Sequence, residues 1–242
     1  MNTKVKQAAI DHALASPKEE VCGLIYHTLD SLHAYPCENV SKDSDAGRAG
    51  SFEIDPQDYA TVAQMGRVCG VYHSHIEDPA AFSEEDILTA RELAVPFYLY
   101  SLEDNQWISY IPDSYMVNPI GRPWIWGFGD CYETIRTYYR QNKRIYLTDY
   151  DRDESFENAE ASAITKYIVP EGFSYVLDLK NIQQDDVLLF NTAGTVYPHH
   201  LAVFIGSSRM LHHPLNCLST IEPLTGAWLR RLVGVLRYEG KQ

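Results

Sequence analysis

The chain has 242 residues, with 33 Asp+Glu against 20 Lys+Arg and a formal net charge of −13. No run approaches the roughly 20 apolar residues of a membrane span, and an acidic balance without a Lys/Arg block excludes phosphate-backbone recognition, so neither membrane span nor nucleic acid is expected. The deficit is lopsided: residues 1–115 carry 7 Lys/Arg and 19 Asp/Glu (7 − 19 = −12), residues 116–242 carry 13 and 14 (13 − 14 = −1), which points to two units with different surfaces.

In chain order, residues 3–15 place Val5, Ala8, Ala9 and Ala13 at helical spacing before a Ser16-Pro17 stop. This start reads as an amphipathic helix and not as a secretory leader. VCGLIYH (21–27) is a predicted strand, TLDS a turn, and a second strand follows around 32–36. SKDSDAGRAG (41–50) is a polar loop, and Asp55-Pro56 opens a helix as N-cap and first-turn proline. GVYH (70–73) is a strand, Ser83 opens a helix to about Leu93, and PFYLYSL with QWISYIP forms a hairpin. The alternation predicts α/β with a mixed sheet.

DSYMVNPIGRPWIWG (113–127), rich in Pro and Gly, marks the boundary. The expected division is a first domain over 1–112, a linker over 113–122 and a second domain over 123–242. Cys131 to Arg140 is a predicted helix, and 153–166 a second one. From 186 the pattern turns to short strands, DVLLF, LAVFIG, RMLHH and LVGVLRY, separated by turns such as NTAGT, an α+β order. Five widely spaced cysteines without a CxxC read as reduced thiols, with Cys22 and Cys69 in the core and Cys37 and Cys217 structural.

Six of the nine histidines lie in close pairs. In His73-Ser74-His75, at the end of a strand, alternate residues share a face, so the two imidazoles can converge on one ion. Asp86, on the first turn of the following helix, completes a His/His/carboxylate set of the kind hydrolytic zinc uses together with a water. Glu20, ahead of the first strand, is the candidate proton acceptor, with Glu19 as its alternative. A metal-free reading stands beside this one, because Ser83-Glu84-Glu85-Asp86 is also an N-cap with acids in the first turn. The string EVCG, then H-x-H-x(7)-S-x(2)-D, resembles the JAMM (MPN-type) metalloprotease signature over about residues 1–110. The resemblance implies a deaminase-like α/β domain holding Zn2+ on His73, His75 and Asp86. It further implies Glu20 as general acid/base, Ser83 stabilising the oxyanion, and cleavage of amide or isopeptide bonds.

The second half opens with WGFGDCYETIRTYYR, in which Cys131 follows Gly129-Asp130 at a helix start. Unpaired N–H groups and the helix dipole favour thiolate there. Downstream, a hairpin turning near Gly206-Ser207-Ser208 would bring His200 and His212 onto adjacent strands, and a base beside a thiol, oriented by a third polar group, is cysteine-peptidase logic. A buried helix cysteine, or a metal site on His199, His200, His212 and His213, are the alternatives. The pieces GDC, DVLLF, HLAVFIG and ML-H resemble the NlpC-type, papain-like cell-wall cysteine peptidases over roughly 118–238, with Tyr132-Glu133 where a small Ser-Gly pair is usual. This resemblance implies Cys131 as nucleophile, His200 as base, His212 as orienting third member, and peptidoglycan peptides as substrate.

Together the two halves resemble the tail tip assembly proteins of lambda-like phages. That pairing implies a protein made in the host cytoplasm, placed at the virion tail tip, with other phage tail tip proteins as partners. Two further readings stand beside it: a morphogenesis or docking factor with weak or silent sites, and a cellular deconjugating or cell-wall peptidase.

Overall fold

The computed structural model describes residues 1–41, 51–153, 163–191 and 197–241. The chain forms two compact units, one of Thr3–Met116 and one of Met1–Asn2 with Val117–Gln242. The loop at 42–50, most of the helix expected over 153–166 and the turn beginning at Asn191 lie outside the described residues.

The first unit carries a five-stranded mixed sheet in the order β2-β1-β3-β4-β5. Helix α1 (Thr3–Ala15) buries Val5, Ala9 and Ala13, the positions its spacing marks. Strand β1 (Cys22–His27) pairs antiparallel with β2 (Leu32–Cys37) and with β3 (Arg67–His75), while β4 (Phe97–Ser101) runs parallel to β3 and antiparallel to β5 (Trp107–Tyr110). A parallel neighbour requires a crossover, and α3 (Glu84–Leu93) supplies it, just as α2 (Pro56–Met65) returns the chain from β2 to β3. Asp55 caps α2 by accepting from the Gln57 amide at 2.8 Å. Strand β3 sits in the centre and is buried over Cys69–Ser74, which is why it reads as an apolar run ending in histidine. Gly23 on β1 is required by close approach, since a Cβ there would lie 2.3 Å from the Tyr72 ring.

The second unit carries a six-stranded sheet, β10-β9-β8-β7-β11-β6, antiparallel throughout. Helix α4 (Cys131–Lys143) packs its buried side, including Ile135 and Tyr139, on a core shared with Leu189 of β7 (Val187–Phe190), Leu201 and Val203 of β8 (His200–Gly206), Leu211 of β9 (Arg209–His212) and Leu236 of β11 (Leu232–Tyr238). Strands β8 and β9 form the expected hairpin: Gly206 (φ 84°), Ser207 (φ 51°) and Ser208 (φ 52°) take the left-handed conformations that match a tight turn to strand twist. Of the helix expected over 153–166, the described part is α5 (Ala163–Ile168), and Asp153 is not helical. Strands β6 (Phe173–Tyr175) and β10 (Thr220–Pro223) and helix α6 (Gly226–Arg231) have no counterpart in the sequence pattern, being three to six residues long and too short for periodicity to show.

Candidate active sites

In the first unit, β3 ends at the mouth of a cavity of about 590 Å³ lined by Glu20, His73, His75, Asp78, Ser83 and Asp86 among others. The ligand-capable atoms of His73, His75 and Asp86 all lie within 4.8 Å of one another. His73 is buried, and among the described residues neither of its ring nitrogens has a hydrogen-bond partner, nor has Nδ1 of His75. Asp86 Oδ1 lies 3.6 Å from His73 Nε2. Burial holds the His73 imidazole well below its ordinary pKa, so the ring is neutral and presents one lone pair. Buried acceptors without partners cost free energy, and a divalent cation among these three groups would satisfy one lone pair on each ring. The set therefore fits a metal.

Each side chain is held by identifiable bonds. Ser83 is the N-cap of α3: its Oγ accepts from the Asp86 amide at 3.1 Å and donates to Asp86 Oδ2 at 2.8 Å, and the Ser83 amide donates to the same oxygen at 2.9 Å. The capping box is complete. It leaves Oδ1 as the carboxylate oxygen aimed at His73, so the cap and the metal reading are one arrangement and not rivals. Glu20 is tied in place because Ser74 and Val21 exchange two bonds at 3.0 Å. Its Oε1 is buried without a partner among the described residues, and burial, then the charges of Asp86 and Asp78, push its carboxyl up to about 7. Glu19 is exposed. Phe52, unmarked by any motif, stacks on His73 with centroids 4.5 Å apart.

In the second unit Cys131 is the first residue of α4, and Asp130 is its N-cap, accepting from the Glu133 amide at 2.7 Å and the Gly127 amide at 2.8 Å. Arg152, buried, donates from Nε to Asp130 Oδ2 at 2.7 Å and lies with its guanidinium carbon 4.9 Å from the Tyr132 ring centre. Burial alone would raise the Asp130 carboxyl, but the Arg152 charge overrides it and holds the group below the usual carboxylate range. The sequence expectation of a thiolate at Cys131 needs correction. Burial, reinforced by the Asp130 charge, pushes the thiol up to about 12, while the amides of Leu201 and Tyr132 and the Arg152 charge pull only weakly the other way. Desolvation outweighs the helix end, and the resting group is a thiol.

His200 Nε2 lies 3.0 Å from His212 Nδ1, both side chains buried. Burial, then the neighbouring histidines, pulls His200 down to about 3, so the resting ring is neutral and able to take a proton. The backbone contact between Cys131 and Leu201 brings the thiol beside the strand residue next to His200. Beyond His212, Glu222 Oε1 lies 3.7 Å from its Nε2, and Trp228 Nε1 donates to Glu222 Oε2 at 2.7 Å. His199 hydrogen-bonds the Tyr197 carbonyl, and His213 turns to Trp124 and donates to the Cys217 carbonyl at 3.0 Å, so the four histidines do not gather as one metal site. The Cys217 side chain itself is exposed. Arg152, Glu222 and Trp228 carry no motif in the sequence, since each acts through a side-chain partner six or more positions away that no local pattern marks.

Residues 2–117 match the family model of prokaryotic homologs of the JAB domain, and residues 121–237 match the NlpC/P60 family. The chain joins a JAB-type domain to an NlpC/P60 domain. It is similar to tail tip assembly protein K of Escherichia phage N15, 25% identical over 99% of this chain and 96% of that protein. A second relative is tail tip assembly protein K of Escherichia phage lambda, 25% identical over 76% of this chain and 89% of that one. Among solved structures, an NlpC/P60 family protein from Bacillus cereus is 14% identical with a TM-score of 0.33, covering 94% of this chain and 66% of that chain. The two JAB and NlpC/P60 assignments place the chain among hydrolase families, and no helix among the described residues is long and apolar enough to cross a membrane.

Proposed function

We propose that this is a tail tip assembly protein with two hydrolytic sites: a thiol endopeptidase acting on the peptide cross-links of host peptidoglycan, and a zinc-dependent amide or isopeptide hydrolase. The division is a first domain over 1–112, a linker over 113–122 and a second domain over 123–242. Its place of action is the host cytoplasm during assembly and the tail tip of the virion, with other tail tip proteins and peptidoglycan peptides as partners. The similarity to protein K along nearly the whole chain supports the biological setting. The observation that carries the chemistry is the contact of His200 with His212, together with that of the Cys131 thiol with the backbone of Leu201, the residue after His200.

Because both Cys131 and His200 rest uncharged, the thiol is activated by general base catalysis and not by a standing thiolate. His200 takes the proton as sulfur attacks the peptide carbonyl, then returns it to the leaving amine. Water afterwards hydrolyses the thioester, with His200 again as base. His212 holds the imidazole in orientation.

In the first domain His73, His75 and Asp86 would hold zinc, which supplies Lewis-acid polarisation and a bound water of lowered pKa. Glu20, whose carboxyl is pushed up to about 7 by burial and the charges of Asp86 and Asp78, would be the general acid/base of that site, able to hold a proton and give it to a leaving nitrogen. Ser83 keeps Asp86 in its ligating rotamer; to stabilise an oxyanion its hydroxyl would turn its one proton away from Asp86 Oδ2, which the Ser83 amide would still hold.

The deciding experiment incubates the full chain with soluble peptidoglycan fragments beside its Cys131→Ala variant. New peptide products formed by the first and absent from the second are the expected result; identical product profiles would refute the thiol mechanism. A second reading, a docking factor with a silent thiol site, draws on the burial of Cys131 (7% exposed) and on Tyr132 beside it. No products from either protein would favour it.

A further inference from the structure

The unassigned polar groups of the second unit converge behind the histidine pair. Nε2 of His212 is buried and has no hydrogen-bond partner among the described residues. The carboxylate of Glu222 faces it at 3.7 Å, slightly beyond hydrogen-bond length and within the slack that such contacts show before substrate binds. Glu222 is on β10, where Thr220 pairs with His212 and Glu222 with Met210, so its backbone is fixed by the ladder that carries His212. Its side chain is clamped as well: Trp228 Nε1 donates to Oε2 at 2.7 Å, and the Trp228 ring stands edge-on to His212 with centroids 4.8 Å apart. That clamp leaves Oε1 as the oxygen facing the imidazole.

We propose that Glu222, held by Trp228, is a positioning residue that fixes the tautomer of His212 and, through it, that of His200. The inference rests on the thiol-peptidase reading for its purpose, but not for its geometry. A carboxylate only accepts, so it selects the His212 tautomer with the proton on Nε2. Nδ1 of His212 is then a lone pair, and the 3.0 Å contact is made only if Nε2 of His200 donates. The remaining lone pair of His200 lies on Nδ1, which becomes its base. Burial of the two rings, which keeps them neutral, makes the choice of tautomer consequential, since a charged ring would donate from both nitrogens.

The clamp makes the consequence testable. In Glu222→Gln the amide oxygen must take the Trp228 N–H, so the amide NH2 is turned toward His212. A donor there forces the His212 proton to Nδ1 and the His200 proton to its own Nδ1, abolishing the base. In the double variant Glu222→Gln/Trp228→Phe the clamp is gone, the amide is free to turn its oxygen to His212, and the working tautomer returns.

The experiment is nitrogen NMR of the histidine rings in the full chain, paired with cleavage of soluble peptidoglycan fragments. His212 should carry its proton on Nε2 in the parent, on Nδ1 in Glu222→Gln, and again on Nε2 in the double variant. In step, kcat should fall about 100-fold or more in Glu222→Gln with KM little changed, and recover about tenfold in the double variant. A merely structural role for the pair gives the opposite order, with the double variant worse than either single one. A parent His212 protonated on Nδ1, a tautomer unmoved by Glu222→Gln, or a double variant no better than Glu222→Gln would each overturn the proposal. Cleavage that is the same in parent and Cys131→Ala would overturn the thiol reading instead, and the ring-nitrogen signals would still decide the role of Glu222.

Discussion

At the scale of single residues, both candidate sites depend on buried polar atoms that ordinary folding would have satisfied. Among the described residues, His73 and His75 present three ring nitrogens with no partner at the end of the central strand. The full chain should therefore bind about one zinc, measured by elemental analysis after dialysis, and His75→Ala should lose it; full occupancy in that variant would count against the ligand set. Ser83→Ala removes the α3 cap and releases Asp86 Oδ2. Loss of about 1 kcal/mol of stability is expected, together with faster zinc loss to a chelator; an unchanged rate of loss would mean that Ser83 does not hold the ligand. These residues were legible because short-range spacing carried them: alternation on a strand put His73 and His75 on one face, and the helix start put Asp86 three residues after its cap. The protonation of Cys131 was not legible, because local sequence shows the helix end but not the burial that overrides it.

At the scale of elements, the second site is set by the way α4 begins. Asp130 caps the helix and is held by Arg152, which also reaches Asp149 at 3.3 Å and the Tyr150 carbonyl at 2.7 Å. Arg136 joins this cluster, bonding Glu133 and lying 3.2 Å from Asp149. Replacing Arg152 by Met leaves the fully buried Asp130 carboxylate without its cation, a change expected to cost about 3–5 kcal/mol. The thermal unfolding midpoint should drop accordingly, and a change within experimental error would show that the cluster does not hold the helix start. The long elements were read correctly from periodicity, among them α1, the α2 start at Asp55-Pro56, the β4–β5 hairpin and the β8–β9 hairpin whose turn brings His200 to His212. Arg152 was invisible because its meaning comes from a partner far along the chain, Asp130, 22 positions away, whereas β6, β10 and α6 were missed because they are too short for periodicity to show.

At the scale of the whole molecule, the charge asymmetry of the two halves divides the chain near where two separately folded units meet in sequence, at Met116 and Val117. The second unit should lose stability in acid. In the second unit burial holds His200 near 3 and His213 near 4, against about 6.5 in an unfolded chain. Between those values the unfolded chain binds more protons, so stability present above about pH 6.5 is lost as pH falls toward 4. Thermal unfolding of the full chain should therefore show the transition of this unit moving down by several degrees from pH 7.5 to pH 5; a midpoint that holds or rises would contradict the buried neutral histidines. The central claim is that two separate hydrolytic chemistries share one chain, and it is tested most directly by cleavage of peptidoglycan fragments in the presence of a zinc chelator. Peptide products should form undiminished with the chelated parent and vanish with Cys131→Ala; products that persist in that variant, or that disappear on chelation alone, would contradict it.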